Sequence, residues 1–169
     1  MLLKKLMLSV LLIITFESFA HNSLNIKDIS LKNASSYQEN YITGGQPSIS
    51  DLELLAKQGI KQVINLRAKG EFKIYNEKEI VESLGMAYIN LEINGVEDLN
   101  QNKIKAFSKL LSNKKTLVHC ASGNRVGAMF ALDAYFVKDK TADEALKIGE
   151  KTGLTRLKPK VSSMILKTK

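Results

Sequence analysis

From residue 41 onward, short apolar runs alternate with longer segments whose apolar residues return every three or four positions. The runs "IKQVINLR" (60–67), "MAYINLEI" (86–93) and "KTLVHC" (115–120) are rich in β-branched residues and read as strands buried on both faces. Between them the period is helical. "SDLELLAKQG" opens on a capping box, Ser50 with Glu53, and stops at Gly59. "EFKIYNEKEIVESLG" predicts a helix over 71–85, ending at Gly85. "NQNKIKAFSKLLSN" carries Ile104, Phe107, Leu110 and Leu111 on one face. "RVGAMFALDAYFVKD" follows the last strand. "TADEALKIGEKTG" opens on Thr141 with Glu144, and a final helix begins at Pro159. Residues 21–40 are polar and weakly patterned, with at most one short strand, and "YITGGQPS" reads as a turn. Strands alternating with helices predict a single α/β domain: a mostly parallel sheet of four to five strands with helices on both faces. In such sheets ligands bind off the carboxyl ends of the strands.

The first twenty residues have a different pattern. "MLLKK" is basic, "LMLSVLLIITF" is an apolar run short for a membrane span, and Ser18-Phe19-Ala20 ends it with small residues. This is the pattern of a signal peptide cleaved after Ala20. It divides the chain into a signal peptide (1–20), a leader (21–36) and a domain (37–169), and implies a periplasmic or secreted protein with no stable membrane insertion after cleavage. The formal net charge is +8, which favours anionic partners. The lysines are spread over every helix with few aromatics between them, so nucleic-acid binding is not expected. The single cysteine excludes an internal disulfide and a cysteine-based zinc site.

That cysteine lies in "VHCASGNRVG" (118–127), between the last strand and its helix. Gly123 lets the backbone turn so that successive N–H groups point inward, and the helix aims its positive end at the same spot. Arg125 adds a planar fork of donors suited to phosphate-like oxygens. A helix N-terminus and a neighbouring arginine also favour a thiolate. Cys120 is thus a candidate nucleophile facing an anion held by Ala121, Ser122, Gly123, Asn124 and Arg125; the alternative is a small buried cysteine. His119 supports the loop through backbone groups or is simply a satisfied core histidine. Neighbouring strand residues point to opposite faces, which disfavours a direct Cys–His base pair. Arg67, at the end of "VINLR", is either a second anion ligand or paired with Glu71 or Asp98.

"VHCASGNR" in this setting resembles the protein tyrosine and dual-specificity phosphatase superfamily. The resemblance runs over roughly residues 37–157. "YITGGQPSISDLELLAKQGIKQVINLRAKGE", "HCASGNRVGA" and "GLTRL" are similar to small bacterial phosphatase-like domains that occur alone or fused to β-lactamase-fold hydrolases and to NAD kinase. The resemblance implies Cys120 as nucleophile, Arg125 and the amides of 121–125 as phosphoryl cradle, a small anionic or phosphorylated substrate, and neither cofactor nor metal. Three departures stand beside it. Four residues separate Cys120 from Arg125 where the phosphatases have five, and four is the rhodanese-type spacing. Val126 replaces the hydroxyl residue that follows the arginine. The general-acid loop reads "NGVEDLN", leaving Asp98, with Glu97 beside it, as the candidate acid. Three functions remain open: a phosphatase working through a phosphocysteine, a sulfurtransferase carrying a persulfide on Cys120, and a non-catalytic anion-binding module.

Overall fold

The computed structural model describes residues 25–167. The expected signal peptide lies outside them. One five-stranded sheet has the order β1-β2-β5-β3-β4. β1 (Ser35–Tyr37) runs antiparallel to β2 (Tyr41–Gly44). β2, β5 (Thr116–His119), β3 (Gln62–Asn65) and β4 (Ala87–Asn90) are parallel. The fold is the expected α/β architecture.

The sheet's two faces follow the pleat. Ile42, Val63 and Leu117 point to a core shared with α1 (Ile49–Lys57) and α2 (Glu77–Ser83). Their neighbours Tyr41, Ile64 and Val118 point to the larger core under α3 (Gln101–Leu110), α4 (Asn124–Phe136), α5 (Ala142–Lys151) and α6 (Lys158–Leu166). Side chains of successive strand residues alternate between faces, so the three central strands β2, β5 and β3 are buried on both faces, while the edge strands β1 and β4 are only partly buried.

Four sequence expectations change. "YITG" is a fully buried strand, β2, and the turn is confined to the residues after Gly44. α1 is capped by Ser48 with Asp51 rather than by Ser50 with Glu53. Asp51 is fixed there because Ser30 also donates to it, from N and Oγ, each at 2.7 Å. α2 starts only after the cap at Asn76. The leader is not separate from the core: Ile29 and Leu31 are buried in it. The capping box of α5, Thr141 with Glu144, is as expected, and α6 starts one residue before Pro159.

α4 is buried along most of its length and packs on α5 at small residues. A Cβ on Gly127 would lie 2.0 Å from Leu154 N, so only glycine permits this approach. β5, central in the sheet, therefore delivers Cys120 to the carboxyl edge directly beneath a helix whose position is tightly fixed.

Candidate active site

Residues 120–125 form a closed loop around the cysteine sulfur. Gly123, at φ +87°, turns the chain into α4, and its N–H donates to Cys120 Sγ at 3.2 Å. The loop's carbonyls are tied on the outside: Asn33 Nδ2 donates to Ser122 O at 2.8 Å and Gln46 N to Ala121 O at 3.4 Å. Carbonyls held outward turn the intervening amides toward the interior, the arrangement of an anion nest. Cys120 is 1% exposed and, like Gly123, is buried behind the loop rather than on the cleft wall. Ala121, Ser122, Asn124 and Arg125 line the cleft above it.

Arg125 reaches into this cleft from the first turn of α4. Its Nη1 donates to Glu71 Oε2 at 2.8 Å and to Ile93 O at 3.1 Å, and its Nη2 pairs with Glu71 Oε1. The Arg125 hydrogen bond holds the Glu71 carboxyl below the usual carboxylate range against the opposing effect of burial. Reciprocally, Glu71 first, and then the adjacent Cys120, hold Arg125 more firmly protonated than a free arginine. The sequence pattern puts Glu71 at the start of the second helix; it lies instead in the loop before α2, where Ala68 N also donates to it at 3.0 Å.

A second, buried charge cluster lies beside the loop. His119 Nδ1 faces Cys120 O at 3.4 Å, and its Nε2 lies 2.5 Å from Glu77 Oε1. Glu77 also pairs with Arg67 through Oε2. The His119 and Glu77 atoms have only each other. Burial opposes ionisation of Glu77, but the hydrogen bond and charge of His119 and the charge of Arg67 outweigh it, leaving its carboxyl below the ordinary range. The His119 ring points away from the sulfur, as the strand alternation requires.

Two sequence candidates fall elsewhere. Arg67 is 5% exposed, bound to Glu77 and stacked on Phe72 at 4.4 Å; it does not line the cleft. Its partner is Glu77, not Glu71 or Asp98. Asp98 also stays out of the cleft: it sits in a short 3-10 turn (Val96–Asp98) and accepts from Asn94 N at 2.7 Å. Glu97 is likewise absent from the wall, which this loop lines through Asn94, Gly95 and Val96. Beside Arg125, the charged residues on the cleft wall are Glu71 and Arg156.

The cleft measures about 510 Å³, within the ordinary range for small-molecule sites. A cysteine inside an amide nest, with an arginine above it at a helix N-terminus, can bind a tetrahedral anion and attack its central atom.

Comparison with known proteins bears on the fold and the family. Two beta-lactamase hydrolase-like proteins are similar in sequence. The one from Xylella fastidiosa is 27% identical over 121 residues, 68% of this chain and 28% of that protein. The one from Agrobacterium fabrum is 29% identical over 100 residues, 56% of this chain and 23% of that protein. The chain thus spans about a quarter of the length of these relatives. Among solved structures, Tk-PTP in its active form superposes with a TM-score of 0.61 at 19% identity, covering 80% of this chain and 97% of that one. A variant of P. aeruginosa TpbA in complex with pTyr gives 0.61 at 14% identity, covering 78% and 81%. Both share the fold. The model of the family described as DSP-PTPase phosphatase fused to NAD+ kinase matches residues 15–163, nearly the whole chain, and the chain belongs to that family of protein tyrosine phosphatase-type domains.

Proposed function

We propose that the chain is a cysteine-dependent phosphatase that hydrolyses a phosphomonoester through a phosphocysteine at Cys120. The observation that carries this reading is the sulfur's place inside the loop: it accepts the Gly123 N–H, and the loop residues that follow it, Ala121, Ser122, Asn124 and Arg125, line the cleft. The phosphoryl oxygens are bound by the loop amides and Arg125. The Cys120 thiolate attacks phosphorus; the P–S bond forms as the P–O ester bond breaks, and the leaving oxygen takes the bonding pair. Water then attacks phosphorus, the P–S bond breaks, and inorganic phosphate leaves with the thiolate restored. Charge developing on the phosphoryl oxygens is met by fixed donors, the largest single contribution in catalysis of this kind.

The leaving group receives little help. Glu71 is the one carboxylate on the cleft wall among the described residues, and Arg125 holds it ionised. A carboxylate stabilised in its charged form is a poor acid. The preferred substrates are therefore those with a good leaving group, such as aryl phosphates. Residues 1–20 direct the protein to the periplasm or outside the cell, and its mature N-terminus is His21; mass spectrometry of the exported protein tests this.

The four-residue spacing between Cys120 and Arg125 favours a second reading, sulfur transfer through a Cys120 persulfide. Parallel assays with an aryl phosphate and with thiosulfate plus cyanide separate the two. Phosphate release that is lost in Cys120→Ser supports the phosphatase; thiocyanate formation alone supports sulfur transfer.

A further inference from the structure

Arg156 stands apart among the charged side chains of the cleft. Glu71 is neutralised by Arg125, whose N–H groups on Nε and Nη2 that Glu71 and Ile93 leave over serve the phosphoryl group, and the rest of the wall is neutral. Arg156 is exposed, and among the described residues its guanidinium has no ion pair. Its backbone, by contrast, is firmly placed. Asn124 Oδ1, in the cysteine loop itself, accepts from Thr155 N at 2.9 Å, Thr155 Oγ1 at 3.1 Å and Leu157 N at 3.2 Å. These three hydrogen bonds bracket Arg156. Gly153, at φ +113°, brings the same segment against the loop, where a Cβ would lie 2.8 Å from Gly123 O. One loop residue therefore couples the anion nest to a second, unneutralised cation on the same cleft.

We infer that Arg156 is a specificity-determining residue that receives a second anionic group on the substrate, so that the preferred substrates are phosphomonoesters bearing another phosphate or carboxylate on the leaving portion. The inference rests on the phosphatase reading of the site. A phosphoryl dianion is satisfied by the loop amides and Arg125, which leaves Arg156 over. The cleft is larger than a phosphoryl group alone requires, so the leaving portion lies along the wall that Arg156 shares. A guanidinium is the side chain best shaped to take a phosphate or carboxylate through two parallel hydrogen bonds.

The test is binding to the full chain carrying Cys120→Ser, which keeps the measurement independent of turnover. The probes are phenyl phosphate and 1,4-phenylene bisphosphate, compared by calorimetry at one ionic strength, with and without Arg156→Ala. The bisphosphate is expected to bind about tenfold more tightly than phenyl phosphate, the effect of hydrogen bonds to a charged group. In Arg156→Ala that ratio drops to about two, the statistical advantage of two equivalent phosphoryl groups, and Arg156→Lys retains part of it. A ratio near two before the substitution, or a tenfold ratio that survives it, overturns the role of Arg156 while leaving the loop as a phosphate site. Failure of both probes to bind overturns the phosphate-site reading and this inference together.

Discussion

Glu71 grips Arg125 through both carboxylate oxygens across 54 residues of sequence. The pair fixes the arginine's fork above the loop before any substrate arrives. Glu71→Gln keeps the volume but removes the charge, and a small misplacement of a positioning group costs on the order of a hundredfold. The variant should lower kcat/KM for an aryl phosphate by about tenfold to a hundredfold, and wild-type kinetics would show that the pair is dispensable. The pH dependence has a definite sign. The Glu71 carboxyl is depressed, chiefly by the Arg125 hydrogen bond, so the pair is complete above the ordinary carboxylate range. It is lost only as pH falls through the lowered value.

Glu77 is the buried link between His119 and Arg67. Glu77→Gln leaves Arg67 charged and uncompensated in the interior, and breaking such a pair costs about 3–5 kcal/mol. Thermal unfolding at pH 7 should show a large fall in Tm. In the wild-type protein the Glu77 contribution is present above the unfolded carboxylate pKa, because its folded pKa is depressed. It disappears as pH falls through the folded value. A variant as stable as wild type at pH 7 would contradict the buried ion pair.

Asp133, on α4, has the opposite sign. It is 4% exposed, its Oδ1 has no hydrogen-bond partner, and burial raises its pKa despite opposing help from Ser108 and Lys138. An acid with a raised folded pKa destabilises the fold once it ionises. Asp133→Asn should therefore stabilise the protein at pH 7, by about 0.5–2 kcal/mol. The gain should shrink as pH falls through the Asp133 value and the wild-type carboxyl takes up its proton. Denaturant titrations at pH 7 and pH 4 compare the two.

Asp98 lies outside the cleft, bound to the Asn94 amide. With no carboxylic acid poised at the leaving oxygen, the rate should depend steeply on leaving-group pKa across a series of substituted phenyl phosphates. Asp98→Asn and Glu97→Gln should each change kcat/KM with 4-nitrophenyl phosphate less than about threefold, below the effect of a general acid. A hundredfold loss in either would return that residue to catalysis.

How much of the molecule is legible in its sequence depends on the range of the interactions. The loop from Cys120 to Arg125 is legible because strand, glycine turn and helix are local, and their chemistry lies within six consecutive residues. The core strands are legible from short runs rich in β-branched and apolar residues. β2 is hidden because its four residues end in Gly44, and pairing with β5 overrides the turn propensity of Gly44-Gly45. The start of α1 moves because Ser30, 21 residues away, binds Asp51. Glu71 and Glu77 look like ordinary helix-surface charges in the sequence. Their partners, Arg125 and His119, come from the far side of the chain, and nothing local marks the pairing. Arg67 does sit at the sheet edge, as the end of its strand implies, but its ion-pair partner depends on where α2 begins.

Val126 and the fate of the phosphocysteine bear most directly on the mechanism. Val126 is fully buried in the same core cluster as Cys120, where a hydroxyl would otherwise follow the arginine. A hydroxyl there hydrogen-bonds the departing thiolate and so aids only breakdown of the intermediate. Such a bond contributes roughly 1.5–3 kcal/mol, about tenfold to a hundredfold in rate. The decisive measurement is rapid mixing of the protein with 4-nitrophenyl phosphate, followed by mass analysis of the quenched chain. A phosphocysteine mechanism predicts a burst of about one nitrophenolate per protein, a phosphoryl group on Cys120, and a slow phase that Val126→Thr accelerates without changing the burst. Absence of both burst and phosphate release, with thiosulfate instead leaving a stoichiometric persulfide on Cys120, would contradict it.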